Sequence, residues 1–198
     1  ERMTLRVGAR REILLAHAMS IPFPGHLHMK FQSHGEIVEG LVNRRLDIGV
    51  THELPDSLYL SSVPLFREEF KICYPKSWRL ERQSAQKLLS TLVEGRPFLA
   101  YDERLNPLRP LYPDITKARV HRTCADWQLI ASLVAAGIGW SVAPNSQLTR
   151  SDVKNIEIVD LPRELNKQVQ FYLIYLKEFG KQIWFKNFLK TLRPLSQV

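Results

Sequence analysis

LIASLVAAGIGWSVAP, residues 129–144, joins a helix, its stop signal and a buried strand in one short stretch. Leu129, Ile130, Leu133 and Val134 recur at helical spacing. Ala135 and Ala136 continue the helix, and Gly137 stands where a left-handed cap residue is wanted. Ile138 to Val142 reads as a buried strand that Pro144 stops. Upstream, Thr123 and Asp126 have capping-box spacing and place the helix start near Cys124. With a strand at Ala118 to Arg122, the segment forms one βαβ unit, which by itself fits any α/β domain.

The same alternation continues on both sides. Leu5 to Ala9 reads as a strand, Glu12 to Met19 as a short helix closed by Pro22 and Pro24. Leu27, Met29 and Phe31 alternate with His28, Lys30 and Gln32, the pattern of a half-buried strand. Ser33 and Glu36 have capping-box spacing, and Ile37, Val38, Leu41 and Val42 form the stripe of the helix they open. Leu46 to Thr51 is the next strand, Glu53 to Ser57 a loop, and Glu69 to Tyr74 a strand leading to Pro75. Ser84 caps a helix carrying Leu88, Leu89, Leu92 and Val93. Pro97 to Tyr101 and Ile156 to Leu161 read as strands, Asn106 to Pro113 as a loop. KQVQFYLIYL at Lys167 to Leu176 ends apolar on both faces, as a central strand does, and a last helix runs from Lys181 to Leu192. The order predicts parallel sheets with helical crossovers.

Composition narrows the function classes. The chain has 198 residues, enough for one or two small domains with a proper core. No apolar run approaches the roughly 20 residues of a membrane helix, and ERMTLRVGARRE has no signal-peptide core, so a cytoplasmic location is expected. Cys73 and Cys124 lie in no CxxC or Cys/His cluster. Cys73 reads as a buried thiol, while Cys124, at the expected helix start, sits where a thiolate is favoured. The net charge of +8 suits a polyanion or an anionic ligand. Its lysines and arginines are scattered, however, and Lys181, Lys186, Lys190 and Arg193 read as a solvated helix face.

No GxSxG, phosphate-binding loop, HExxH or GxGxxG occurs, so neither a catalytic residue, a metal ligand nor a cofactor is expected, and the chain does not read as an enzyme. His26 and His28 share one side of a strand without a carboxylate or cysteine at ligand spacing, and His121 reads as a structural residue. The loops after strand ends are the ligand candidates. Arg10 and Arg11 follow the first strand and precede a helix, where N–H groups and a guanidinium fork suit a carboxylate. Ser33 and His34 open the next helix, and Thr51 and His52 end the third strand. Tyr101 and Asp102 end a later strand, and Arg122 and Thr123 lie near a helix start.

Four segments taken in order, LRVGA from Leu5, EIVEGLVNRRLDIGVTHE from Glu36, LFREEFKICYP from Leu65 and VAAGIG…AP from Val134, resemble the effector-binding domain of LysR-type transcriptional regulators. The resemblance implies an α/β fold of two Rossmann-like lobes with a cleft, like a type 2 periplasmic-binding protein. Lobe I would be residues 1–75 and 168–198, lobe II residues 76–167. It implies a small effector held between the lobes by Arg10, Ser33, His34, Thr51, Tyr101 and Thr123; the paired Arg10 and Arg11 at the strand end make a carboxylate or other anion the expected ligand, with Arg11 joining the set. It also implies a homodimer or tetramer, and DNA contact only through a winged helix-turn-helix preceding this segment. Two departures stand out: the family often has Ser or Thr where Arg10 and Arg11 stand, and the first helix looks short before Pro22. A solute-binding protein of a transport system shares the two-lobed fold and is the alternative.

Overall fold

A computed structural model describes residues 4–9, 23–101, 115–148, 153–166 and 168–192. Arg10, Arg11, Asp102, the expected helix at 12–19 and the loop at 106–113 lie outside the described residues. Packing divides the chain into two compact units, Glu1–Arg67 with Val169–Val198, and Glu68–Gln168.

The first unit is a five-stranded sheet in the order β2-β1-β3-β10-β4. β1 (Thr4–Ala9), β2 (His26–Phe31) and β3 (Ile48–Thr51) are parallel, with Ala9 opposite both Phe31 and Val50. β10 (Val169–Leu176) lies inside the sheet, as its two apolar faces require, but runs antiparallel to β3. β4 (Leu60–Glu68) was not anticipated: it carries Pro64, which only an edge strand tolerates. β2 alternates as expected except at Phe31, which is exposed, and His26 and His28 share its exposed side. α1 (His34–Val42) covers the sheet with Ile37 and Leu41, which pack with Leu46 and Ile174. Its capping box is present in full: the Ser33 hydroxyl accepts from Glu36 N while the Glu36 carboxylate accepts from Ser33 N. α5 (Ile183–Leu192) buries Phe185, Phe188 and Leu192 and leaves Lys186 and Lys190 exposed. Before β3, Asp47 accepts from the backbone N–H, Nε and Nη2 of Arg6, at 2.7–3.0 Å. That fork joins the chain before β3 to β1 by bonds that also hold Arg6 charged.

The second unit holds two sheets. β5 (Phe70–Pro75) pairs antiparallel with β8 (Ser141–Pro144) and β9 (Ile156–Asp160). β5 therefore packs here although the sequence reading put it before the boundary at Pro75. β6 (Phe98–Tyr101) pairs parallel with β7 (Val120–Cys124). A bridge between Phe98 and Trp140 links the two sheets. There Leu99 N donates to Trp140 O at 2.8 Å and Trp140 N to Pro97 O at 3.0 Å. A Cβ on Gly139 would come within 2.6 Å of Pro97 O, so only glycine lets this bridge close.

α2 (Ala85–Gly95) is capped by Ser84 as expected. α3 (Trp127–Ala135) starts three residues later than the spacing of Thr123 and Asp126 implied, and this corrects the sequence reading. Thr123 and Cys124 are held in the β6–β7 ladder, and Asp126 is the cap itself, accepting from Gln128 N at 2.7 Å. Gly137, at φ 82°, ends the helix: its N–H donates to Val134 O, and Ile138 N–H to Leu133 O. α4 (Asn145–Leu148) follows β8. Trp127, Ile130, Ala131 and Val134 pack α3 onto the core, so Ala131 faces inward.

The displaced helix start also changes the reading of Cys124. It is a buried strand residue whose thiol burial pushes up, with Arg122 opposing that shift, so no helix end activates it. Cys73 is fully buried in β5, where its thiol donates to Ser141 O at 3.4 Å, and burial pushes the thiol up to about 12. A folded value above the ordinary 9.0 contributes stability that is full below pH 9.0 and is lost as pH rises toward about 12. The native chain is thus expected to leave Cys73 unmodified by an aromatic disulfide reagent at pH 8, with reaction only on unfolding; rapid native labelling would contradict this placement.

Candidate functional site

β1, β2 and β3 run parallel, so their carboxyl ends at Ala9, Phe31 and Thr51 lie along one edge of the first unit's sheet. α1 begins at the same edge, because Ser33 caps it two residues after β2 ends. His34 and Thr51 meet there, with His34 Nδ1 3.1 Å from Thr51 Oγ1. Thr51 is fully buried, and its Oγ1 also accepts from Glu53 N at 3.2 Å. With one lone pair on Glu53, the hydroxyl meets the imidazole either as donor or with its second lone pair. Next along the chain, His52 packs edge-on against Phe171 at 5.8 Å and lies 3.5 Å from Glu53 Oε1.

Ser33 is engaged within the cap. Its hydroxyl donates to Glu36 Oε2 at 2.7 Å while accepting from Glu36 N. Those bonds, the hydroxyl's first and then the backbone's, hold the Glu36 carboxyl below its ordinary range. A built-in carboxylate therefore already answers the positive end of α1. The His34 and Gly35 N–H groups have no acceptor within the helix by its geometry, and a side chain on Gly35 would meet nothing within 4 Å.

The second unit positions the other expected residues. Tyr101 ends β6 opposite Cys124, and Thr123 lies opposite Ala100. The Tyr101 ring is buried, stacked on Trp127 at 4.3 Å and parallel within 2°. Thr123 is exposed, as is His121, which was expected to be a structural residue. Asp126 caps α3 close by in the chain.

The structure thus joins Ser33, His34 and Thr51 in one cluster and places Tyr101 and Thr123 on neighbouring strands of the other unit. Two participants were missed. Glu53 turns its N–H onto Thr51, a contact that a Thr two residues before it signals only weakly. Gln32 buries its Oε1 without a hydrogen-bond partner, beside the position a Gly8 side chain would take. Among the described residues, no group of three or more His, Cys, Asp or Glu side chains is placed to hold a metal, and no helix is long and apolar enough to cross a membrane.

Two α/β units, with helix starts and polar side chains gathered at the carboxyl ends of parallel strands, define the class of ligand-binding domains built on open sheets. The chain belongs to the LysR substrate binding domain family, whose sequence model matches residues 25–195. A curated relative is the uncharacterized HTH-type transcriptional regulator in the lacR 5′ region of Staphylococcus xylosus. It is 27% identical over 155 residues, covering 77% of this chain and 52% of the relative. The chain therefore spans about half the length of the curated relative it matches. Among solved structures, HinK, a LysR family transcriptional regulator from Pseudomonas aeruginosa, superposes with a TM-score of 0.76 at 15% identity, over 98% of this chain and 70% of that one. The regulatory domain of Synechocystis CcmR, in complex with 2-PG, gives 0.73 at 18% identity, over 98% and 97%. The fold is mixed α/β, of the type 2 periplasmic-binding-protein-like kind.

Proposed function

We propose that this chain is the ligand-sensing regulatory domain of a LysR-type transcription regulator, a cytoplasmic protein and not an enzyme. The family match over residues 25–195 carries this reading, and the HTH-type regulator it resembles supports it. DNA contact would come from a winged helix-turn-helix that precedes these residues in the longer protein, and the assembly would be a homodimer or tetramer.

The ligand proposed is a small carboxylate or other anion. His34 beside Thr51, and the first N–H groups of α1, which have no acceptor within the helix and are free to donate to an anion's oxygens, support it. Arg10 and Arg11 follow β1 in the sequence and would supply guanidinium groups suited to a carboxylate. Ser33 completes this set, and Tyr101 and Thr123 are the proposed contacts from the second unit. That a regulatory domain of like fold was solved in complex with 2-PG agrees with a small-molecule site. A ligand regulates only through unequal affinity for two states of the protein.

DNA binding separates this function from that of a solute-binding protein. These 198 residues alone should retain only weak, salt-sensitive DNA binding from their +8 charge, whereas the longer gene product should bind a specific site. Electrophoretic mobility shifts in physiological salt check this. Tight, sequence-specific binding by the 198 residues alone, or none by the longer product, would contradict it.

A further inference from the structure

The contact between His34 Nδ1 and Thr51 Oγ1, 3.1 Å long, admits two proton arrangements. Either the Thr51 hydroxyl donates to an unprotonated Nδ1, or a protonated Nδ1 donates to the hydroxyl oxygen. The two differ in what becomes of the hydroxyl hydrogen. Thr51 is fully buried at the end of β3, and its oxygen already accepts from Glu53 N at 3.2 Å. Among the described residues, His34 Nδ1 is the one acceptor within reach of that hydrogen.

If Nδ1 carried the proton, the hydroxyl oxygen would accept twice and its hydrogen would be buried without an acceptor. An orphaned buried donor bears the full cost of its lost water, which disfavours that arrangement by about tenfold or more. The hydroxyl therefore donates to Nδ1, and the neutral ring holds its one proton on Nε2. His34 is half-buried, and among the described residues its Nε2 has no hydrogen-bond partner. Gln32 Oε1 is the one buried side-chain oxygen or nitrogen there that lacks a partner, so His34 Nε2, lacking one too, is open to solvent. The ring thus carries a free donor at the first residue of α1.

We propose that Thr51 is a positioning residue, whose hydroxyl holds the His34 imidazole in its Nε2–H form and so makes the ring a hydrogen-bond donor to an acceptor oxygen of the effector. Thr51 does not touch the effector itself: it is fully buried and its hydroxyl hydrogen is committed to the ring. A fixed N–H selects for lone pairs. A carboxylate or phosphate oxygen answers it, whereas an ammonium group, which only donates, leaves it unanswered. The tautomer stands whatever the domain binds, while its use on an effector oxygen rests on reading this sheet edge as the effector site.

Multiple-bond proton–nitrogen correlation spectra of the 198-residue chain at pH 8, where an ordinary imidazole is neutral, test it. In the wild-type chain the His34 proton is expected on Nε2, with the Nδ1 resonance displaced from that of a free imine nitrogen by the hydrogen bond it accepts. Thr51→Val, which keeps the branched shape, should remove the displacement, and Thr51→Ser should restore it. A proton on Nδ1 in the wild-type chain overturns the proposal, and so does a displacement that Thr51→Val leaves unchanged. Inorganic phosphate then probes the donor. It is expected to move the Nε2–H signal saturably, with a half-saturation concentration about fivefold or more higher in Thr51→Val and near the wild-type value in Thr51→Ser. An equal response in Thr51→Val overturns the positioning role. A signal that phosphate leaves unmoved overturns the use of the donor on an anion, and the regulator reading is then still decided by its own DNA-binding measurement. If Thr51→Val fails to fold, the wild-type spectrum and that of Thr51→Ser decide the tautomer.

Discussion

Trp140→Ala is expected to lower the unfolding free energy by about 3–5 kcal/mol, the usual range for truncating a large buried aromatic side chain. Trp140 is wholly buried and lies 4.7 Å from the Phe98 ring, centroid to centroid. Its Nε1 donates to Arg96 O at 3.3 Å, and its backbone forms the bridge between the second unit's sheets. Alanine would keep the backbone bonds but leave a large void and an unanswered Arg96 carbonyl. Against a total of about 5–15 kcal/mol for a typical domain, that loss is large. Urea unfolding followed by circular dichroism gives the number. Leu129→Ala, at a side chain 50% exposed on α3, should change little, and a loss below about 1 kcal/mol for Trp140→Ala would contradict the packing described.

The second large effect concerns ligand affinity. Arg10→Ala is expected to weaken binding of an anionic effector by more than about tenfold, because removing one partner of a desolvated charge pair typically costs about 2–5 kcal/mol. Arg11→Ala is the companion variant and tests the neighbouring guanidinium. Lys186→Ala, exposed on α5, should leave affinity unchanged. Titration calorimetry with a ligand found to bind measures all three. If neither arginine variant alters affinity, these side chains are surface charge and the anion is held by other groups.

Local signals carried most of the fold. The Ser33–Glu36 box and the Gly137 cap were legible because each is a bond pattern within a few residues. The same spacing rule misled at Thr123 and Asp126, since strand pairing with β6 holds Thr123 extended and leaves the cap to Asp126. β4 escaped notice because polar positions and Pro64 break its alternation, and only an edge place in the sheet makes it a strand. The antiparallel sense of β10 beside β3 was illegible too, since no local pattern states which way distant strands run. The site divides likewise. Strand ends and helix starts pointed to Ser33, His34 and Thr51, but the bond joining His34 to Thr51 spans 17 residues and arises from the sheet alone.

The most direct measurement of the central claim, that this is a sensing domain for a small anion, is a thermal-shift panel of small carboxylates and phosphorylated acids, each beside an uncharged amide or alcohol analogue. A specific ligand at a hundredfold its dissociation constant adds about 2.7 kcal/mol, which for a chain of this size raises the midpoint by roughly 5–11 °C. The account predicts that at least one anion produces such a saturable rise and that its uncharged analogue does not. A panel in which no anion shifts the midpoint, or in which the uncharged analogue does as well, would contradict it.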